Sequence, residues 1–282
     1  MRAFVIDAYN QPVHEAQVAE PVVGRRDVLV EVAAAGLNQL DEKIRLGEFK
    51  QLLRYRMPLT LGHDVAGAVI AVGPDVDGVE VGDVVFSRPR DHRIGTLAER
   101  IAIDVDDLAP APRSVDLVAA ASLPLVALTA WQALVEIGHV GPGHKVLIHA
   151  GAGGVGTIAI QLAKHLGAHV ATTASARDAD FLRDLGADVV IDYRSQDFAA
   201  ELADYDVVLD SLGGENQERS LTVLRRGGIA VGIAGPPTAE FARAAGLSPL
   251  LRPVMSVLSR KVRRLASARG VEYRFLFMRA GG

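Results

Sequence analysis

The chain has 282 residues, of which 49% are hydrophobic and 23% charged, with a formal net charge of −4. That length exceeds the usual single-domain size, so two domains are expected, and the apolar fraction suffices for a substantial core. The charge balance shows no basic excess of the kind nucleic-acid binding needs, and no apolar run reaches the ~18 residues of a membrane-spanning helix. Cysteine is absent, which excludes disulfides and every thiolate metal site.

In chain order, Met1 to Ile6 runs straight into an apolar, strand-like segment. It lacks the longer apolar core and cleavage site of a signal peptide, so a cytoplasmic location is expected. Val28, Val30 and Val32 alternate with Leu29 and Glu31, a period of two that marks a strand. Val65–Val72, Asp83–Phe86 and Leu97–Ile103 are further strand candidates, punctuated by Gly73, Gly78 and Gly82. Residues 1–121 thus read as an antiparallel, partly closed β domain.

From Leu123 onward strands alternate with helices, and residues 122–282 read as a second domain. Val146–His149 is a short buried strand. Val155, Ile158, Ala159, Leu162, Ala163 and Leu166 follow at helical spacing, and Gly167 ends that helix. His169–Thr173, Val189–Ile191, Val207–Leu209, Ile229–Ile233 and Phe275–Met278 complete six strands. Six strands with crossover helices predict an α/β, doubly wound parallel sheet of the Rossmann type.

Gly151-Ala-Gly153-Gly154-Val155-Gly156 sits directly between the first of these strands and its helix. That context turns a common glycine turn into a dinucleotide-binding fingerprint. Gly151 permits the tight turn, Gly153 admits a pyrophosphate, and Gly156 lets helix and strand approach. The helix N-terminus, at Gly154 and Val155, offers free N–H groups. A site for NAD would place an acid at the end of the second strand. Here the segment reads Thr172-Thr-Ala-Ser175-Ala-Arg177, a hydroxyl and a guanidinium suited to a 2′-phosphate, so NADPH is the expected cofactor. Asp178 reads as a residue at the N-terminus of the helix Ala179–Leu185, although it also fits a displaced ribose-binding acid.

Four motifs occur in order: Gly62-His-Asp-Val-Ala-Gly67, Val81-Gly-Asp83, Leu128-Thr-Ala-Trp131 and Ala150–Gly156. Together they resemble the medium-chain dehydrogenase/reductase superfamily, and within it the zinc-independent quinone-oxidoreductase branch. The resemblance implies an N-terminal GroES-like β domain joined to an NADP-binding Rossmann domain. Zinc-dependent members hold their catalytic metal on Cys, His and Cys. Here Asn38 occupies the first Cys position and only His63 matches, so no metal site is expected, since catalytic zinc needs three protein ligands. The resemblance places Asn38 beside nicotinamide and substrate, Thr129 near the cofactor and Tyr193 near the adenosine phosphate. It also implies C-terminal segments completing the β domain, and the sequence stops at Gly282 just past the sixth strand, which reads as a lacking completion.

The expected chemistry is hydride transfer from NADPH to a quinone or an electron-poor C=C of an enone or enal. Asn38 would donate a hydrogen bond to the acceptor oxygen, with Asp41 an alternative polar contributor, although an Asp following a turn into a helix is more often structural. A non-catalytic NADPH-binding protein and, less favoured by the ligand count, an alcohol dehydrogenase are the alternatives. Expected partners are a small-molecule acceptor and a second copy in a homodimer, without nucleic acid. One segment suggests a weak membrane-surface contact or a lid. Leu247, Leu250, Leu251, Val254, Met255 and Leu258 form an apolar stripe, ahead of the basic Arg260, Lys261, Arg263 and Arg264. Packing of that stripe on its own domain is the plainer reading, and Pro249 and Pro253 predict a kink.

Overall fold

The computed structural model describes residues 1–281 and divides into two compact units, Met1–Leu128 with the residues from Arg279 on, and Thr129–Met278. In the first unit, five antiparallel strands form one sheet in the spatial order Arg100–Asp104, Asp27–Gly36, Asp64–Val72, Val84–Ser87, Leu108–Pro110. A smaller antiparallel sheet joins His14–Gln17, Arg2–Ile6 and Leu59–Thr60. Period-two alternation puts Val28, Val30, Val65, Val69, Val85, Ile101 and Ile103 into one buried cluster. This is the expected GroES-like β architecture.

The second unit is a six-stranded parallel sheet. Its strands are Lys145–Ile148, His169–Ala174, Val189–Asp192, Tyr205–Asp210, Leu224–Gly232 and Glu272–Phe275, in the spatial order third, second, first, fourth, fifth, sixth. Both faces are covered, which is why these strands are nearly continuous apolar runs. Val146 and Ile148 pack on one side with Ala159, Ile160 and Ala163 of the helix Gly154–His165 and with Leu182. Leu147 packs on the other with Phe198, Leu221, Val262 and Ala266. The strand order reverses between the first and fourth strands, so the crevice beyond their carboxyl ends is where such folds take ligands.

Three expectations shift. The sixth strand lies at Glu272–Phe275 rather than Phe275–Met278. Alternating burial continues through Leu276 and Met278, but ladder hydrogen bonding stops after Leu276 N–H donates to Gly232 at 2.9 Å. Half of the stripe before the basic cluster is exposed. Met255 is buried, whereas Leu250, Val254 and Leu258 are exposed. The kink is not at a proline, because Pro253 sits in the first turn of the helix Leu251–Leu258, where its missing N–H costs nothing. The break falls at Ser259, before the helix Arg260–Arg269.

Candidate functional site

In the second unit, parallel register brings the candidate nucleotide-binding residues to one edge. Thr172 pairs with Ile148 and Ala174 with Asp192, so the residues following each strand, Gly151, Ser175 and Tyr193, emerge side by side. Two backbone hydrogen bonds tie them: Gly151 N–H to Thr173 at 3.0 Å and Tyr193 N–H to Ala174 at 3.2 Å.

The glycines differ in what a side chain would meet. A Cβ on Gly151 would lie 2.1 Å from Thr172 Oγ1, and one on Gly156 would lie 2.4 Å from the Ala150 carbonyl oxygen and 2.7 Å from Gly151 Cα. These two glycines make turn and helix fit the strand. A Cβ on Gly153 would touch only the Ala150 oxygen, at 3.2 Å. The space above Gly153 is therefore open, and a cradle that any larger side chain would narrow suits a phosphate approaching the backbone. Gly153 is the N-cap of the helix, so no side chain caps the amides of Gly154, Val155 and Gly156.

Ser175 is buried at 6% exposure, while Arg177 and Tyr193 face solvent. Ser175 Oγ donates to Asp178 Oδ2 at 2.9 Å, and Arg177 Nε lies 3.3 Å from Asp178 Oδ1. The Arg194 guanidinium sits 5.6 Å from the Tyr193 ring centroid, a cation–π distance. Thr129 is buried on the helix Pro124–Trp131.

Two buried groups at the strand-order reversal escaped the sequence reading. His149 follows the first strand, with Nδ1 3.0 Å from Thr173 Oγ1 and Nε2 2.8 Å from Ser220 Oγ. Burial pushes this imidazole below its ordinary value, with Asp210 opposing the shift. Asp210 ends the fourth strand and accepts through Oδ1 from the N–H groups of Leu212 and Gly213, leaving Oδ2 unpartnered. The available signal was the turn Asp210-Ser-Leu-Gly213-Gly214, whose glycines both have positive φ.

In the first unit, Asn38 caps the short helix Gln39–Arg45. Its N–H donates to Asp41 Oδ2 at 2.8 Å, the reciprocal half of a capping box. The other Asp41 oxygen lies 2.6 Å from Nδ1 of His63, a fully buried ring whose Nε2 has no partner. The Asn38 amide Nδ2 donates to Asp64 Oδ2 at 2.9 Å, and Leu125 N–H donates to Asp64 Oδ1 at 2.9 Å. Burial, largest of the influences, lifts the Asp64 carboxyl from its ordinary 3.8 to about 7, against the lowering effect of these two hydrogen bonds. Asn38 and Asp41 thus belong to one linked cluster with His63 and Asp64. The first-unit cluster and the nucleotide-edge residues belong to separate units.

A family model described as zinc-binding dehydrogenase matches residues 154–273, and one for the alcohol dehydrogenase GroES-like domain matches residues 24–113. The bovine mitochondrial NAD(P)H oxidoreductase RTN4IP1 is 34% identical, aligned over 100% of this chain and 77% of its own. The chain belongs to the medium-chain dehydrogenase/reductase superfamily. Its place is in the zinc-independent branch of that superfamily. The chloroplastic NADPH-dependent alkenal/one oxidoreductase of Arabidopsis thaliana is 37% identical over 80% of this chain. The chain spans 61% of that relative's length. A quinone oxidoreductase structure from Coxiella burnetii superposes with a TM-score of 0.84 at 32% identity, covering 100% of this chain and 84% of that one.

The family-model name raises zinc, and the residues do not fit it. His63 alone stands at a ligand position, and Asn38 carries an amide where a thiolate would bind. Among the described residues no three His, Cys, Asp or Glu side chains form a group able to hold a metal.

Proposed function

We propose that the protein is an NADPH-dependent reductase that transfers hydride to a quinone or to the electron-poor C=C of an enone or enal. The observation that carries this reading is the row of Gly151–Gly156, Ser175, Arg177 and Tyr193 along one edge of the parallel sheet, with open space above Gly153. The names of the Arabidopsis and Coxiella relatives supply the acceptor class.

When bound, the nicotinamide cofactor supplies the hydride. The chain's residues bind and orient. The uncapped amides of Gly154, Val155 and Gly156 hold the pyrophosphate at a helix N-terminus. Ser175 and Arg177 take the 2′-phosphate through charge-assisted hydrogen bonds, and Tyr193 flanks the adenosine. Thr129 contacts the cofactor. Asn38 has two amide hydrogens, of which Asp64 engages one. The second remains for the acceptor oxygen as negative charge develops there. Asp41 acts through others: it fixes the Asn38 backbone and the His63 ring, so it is a positioning residue rather than a second contributor to the acceptor. Solvent delivers the final proton.

A panel assay tests this reading by following NADPH oxidation with benzoquinones, short enals and longer enones. Turnover with one class and not the others names the acceptor. NADPH binding without turnover on any of them reduces the protein to a nucleotide-binding module.

A further inference from the structure

Ser175 and Arg177, the pair given above to a 2′-phosphate, are both engaged by an anion of their own chain. Asp178 accepts from Ser175 Oγ at 2.9 Å and forms an ion pair with Arg177 at 3.3 Å. The arrangement is local, because Asp178 N–H donates to the Ser175 carbonyl at 3.0 Å and so brings the carboxylate back over the hydroxyl. Asp178 also stands immediately before the helix Ala179–Asp184, where an aspartate usually accepts from the first amides. Its side chain makes no such cap hydrogen bond. The carboxylate serves Ser175 and Arg177 instead.

Carboxylates and phosphate monoesters recruit the same hydroxyl and guanidinium donors. Resting on the NADPH reading, we infer that Asp178 is an internal competitor for the 2′-phosphate subsite and sets the ratio of NADPH to NADH affinity. NADPH binding obliges the carboxylate to release Ser175 and Arg177 and then leaves two anions close together. NADH brings a neutral 2′-hydroxyl, which leaves those contacts in place and can donate to the carboxylate. Asp178 thus narrows a preference that Ser175 and Arg177 would otherwise make steep.

The test compares dissociation constants of NADPH and NADH, measured calorimetrically, for the wild type, Asp178→Asn, Asp178→Ala and Arg177→Ala. Both Asp178 substitutions should raise the NADPH preference by about 10-fold or more, the size of one charge-assisted contact. Adenosine 2′,5′-bisphosphate against 5′-AMP should show the same shift, which places it at the adenosine end. An unchanged or lowered NADPH preference in the Asp178 variants overturns the inference, as does a shift absent from the adenosine fragments. If Arg177→Ala lowers the preference while the Asp178 variants leave it alone, only the competitor role falls. If Arg177→Ala also leaves it alone, the 2′-phosphate reading falls too.

Discussion

Asp64 is where a single residue's environment has the most measurable consequence. Its carboxyl titrates near 7 in the folded protein against an ordinary 3.8. Between those values the folded state holds a proton that the unfolded chain has released, so stability falls as pH rises through this window. Below it both states are protonated, and above it the full cost persists, on the order of 4 kcal/mol for a shift of this size. Asp64→Asn should therefore raise the denaturation midpoint at pH 8 and flatten its dependence between pH 4 and 7. The Asn38 amide can turn over to keep its hydrogen bond to the new side chain. Urea titrations across that range check this, and a variant with the wild-type slope contradicts it. Arg177→Ala belongs to the same scale. It should weaken NADPH by roughly 1.5–3 kcal/mol while leaving NADH nearly untouched, since NADH carries no 2′-phosphate to pair with that guanidinium.

At the scale of elements, the turn from the first parallel strand into its helix separates fold from binding. Gly151→Ala and Gly156→Ala push a methyl against Thr172 and the Ala150 carbonyl, so each should cost about 1–3 kcal/mol of stability, as overpacking does. Gly153→Ala meets only one atom, at 3.2 Å. It should leave thermal unfolding close to wild type while weakening NADPH. Equal losses of stability across all three would refute the division. This turn was readable in advance because glycine spacing is a local property flanked by a strand and a helix. The strands were readable for a similar reason, though their ends were not. Val271, Tyr273, Leu276 and Met278 are all buried, so hydrophobic alternation alone could not say where the ladder to Leu224–Gly232 ends. The stripe of Leu250, Val254 and Leu258 had helical periodicity but not the core burial that periodicity usually signals. The links of the candidate site were least legible. Asp64 is held by Asn38 and by Leu125, 26 and 61 residues away. His149 meets Ser220 across 71 residues. No local pattern encodes partners at such separations. Asp178 was visible as a nearby acid, but its carboxylate turns toward Ser175 rather than its helix only in the folded chain.

At the scale of the molecule, a GroES-like β unit and a Rossmann unit carry separate parts of the proposed chemistry. Neither part provides a metal-binding group among the described residues, and no described helix is long and apolar enough to cross a membrane. Purified protein should therefore keep its full turnover after dialysis against a chelator, with elemental analysis finding no stoichiometric zinc. One tightly held zinc, removable only with loss of activity, would contradict the reading of Asn38 as a replaced ligand. The most direct test of the central claim is kcat/KM for NADPH oxidation against a quinone and an enone, with chelator present, set beside the same values for NADH. Turnover is expected with at least one acceptor class, with a higher kcat/KM for NADPH than for NADH. Absence of turnover with every acceptor, or turnover that prefers NADH, would contradict that claim.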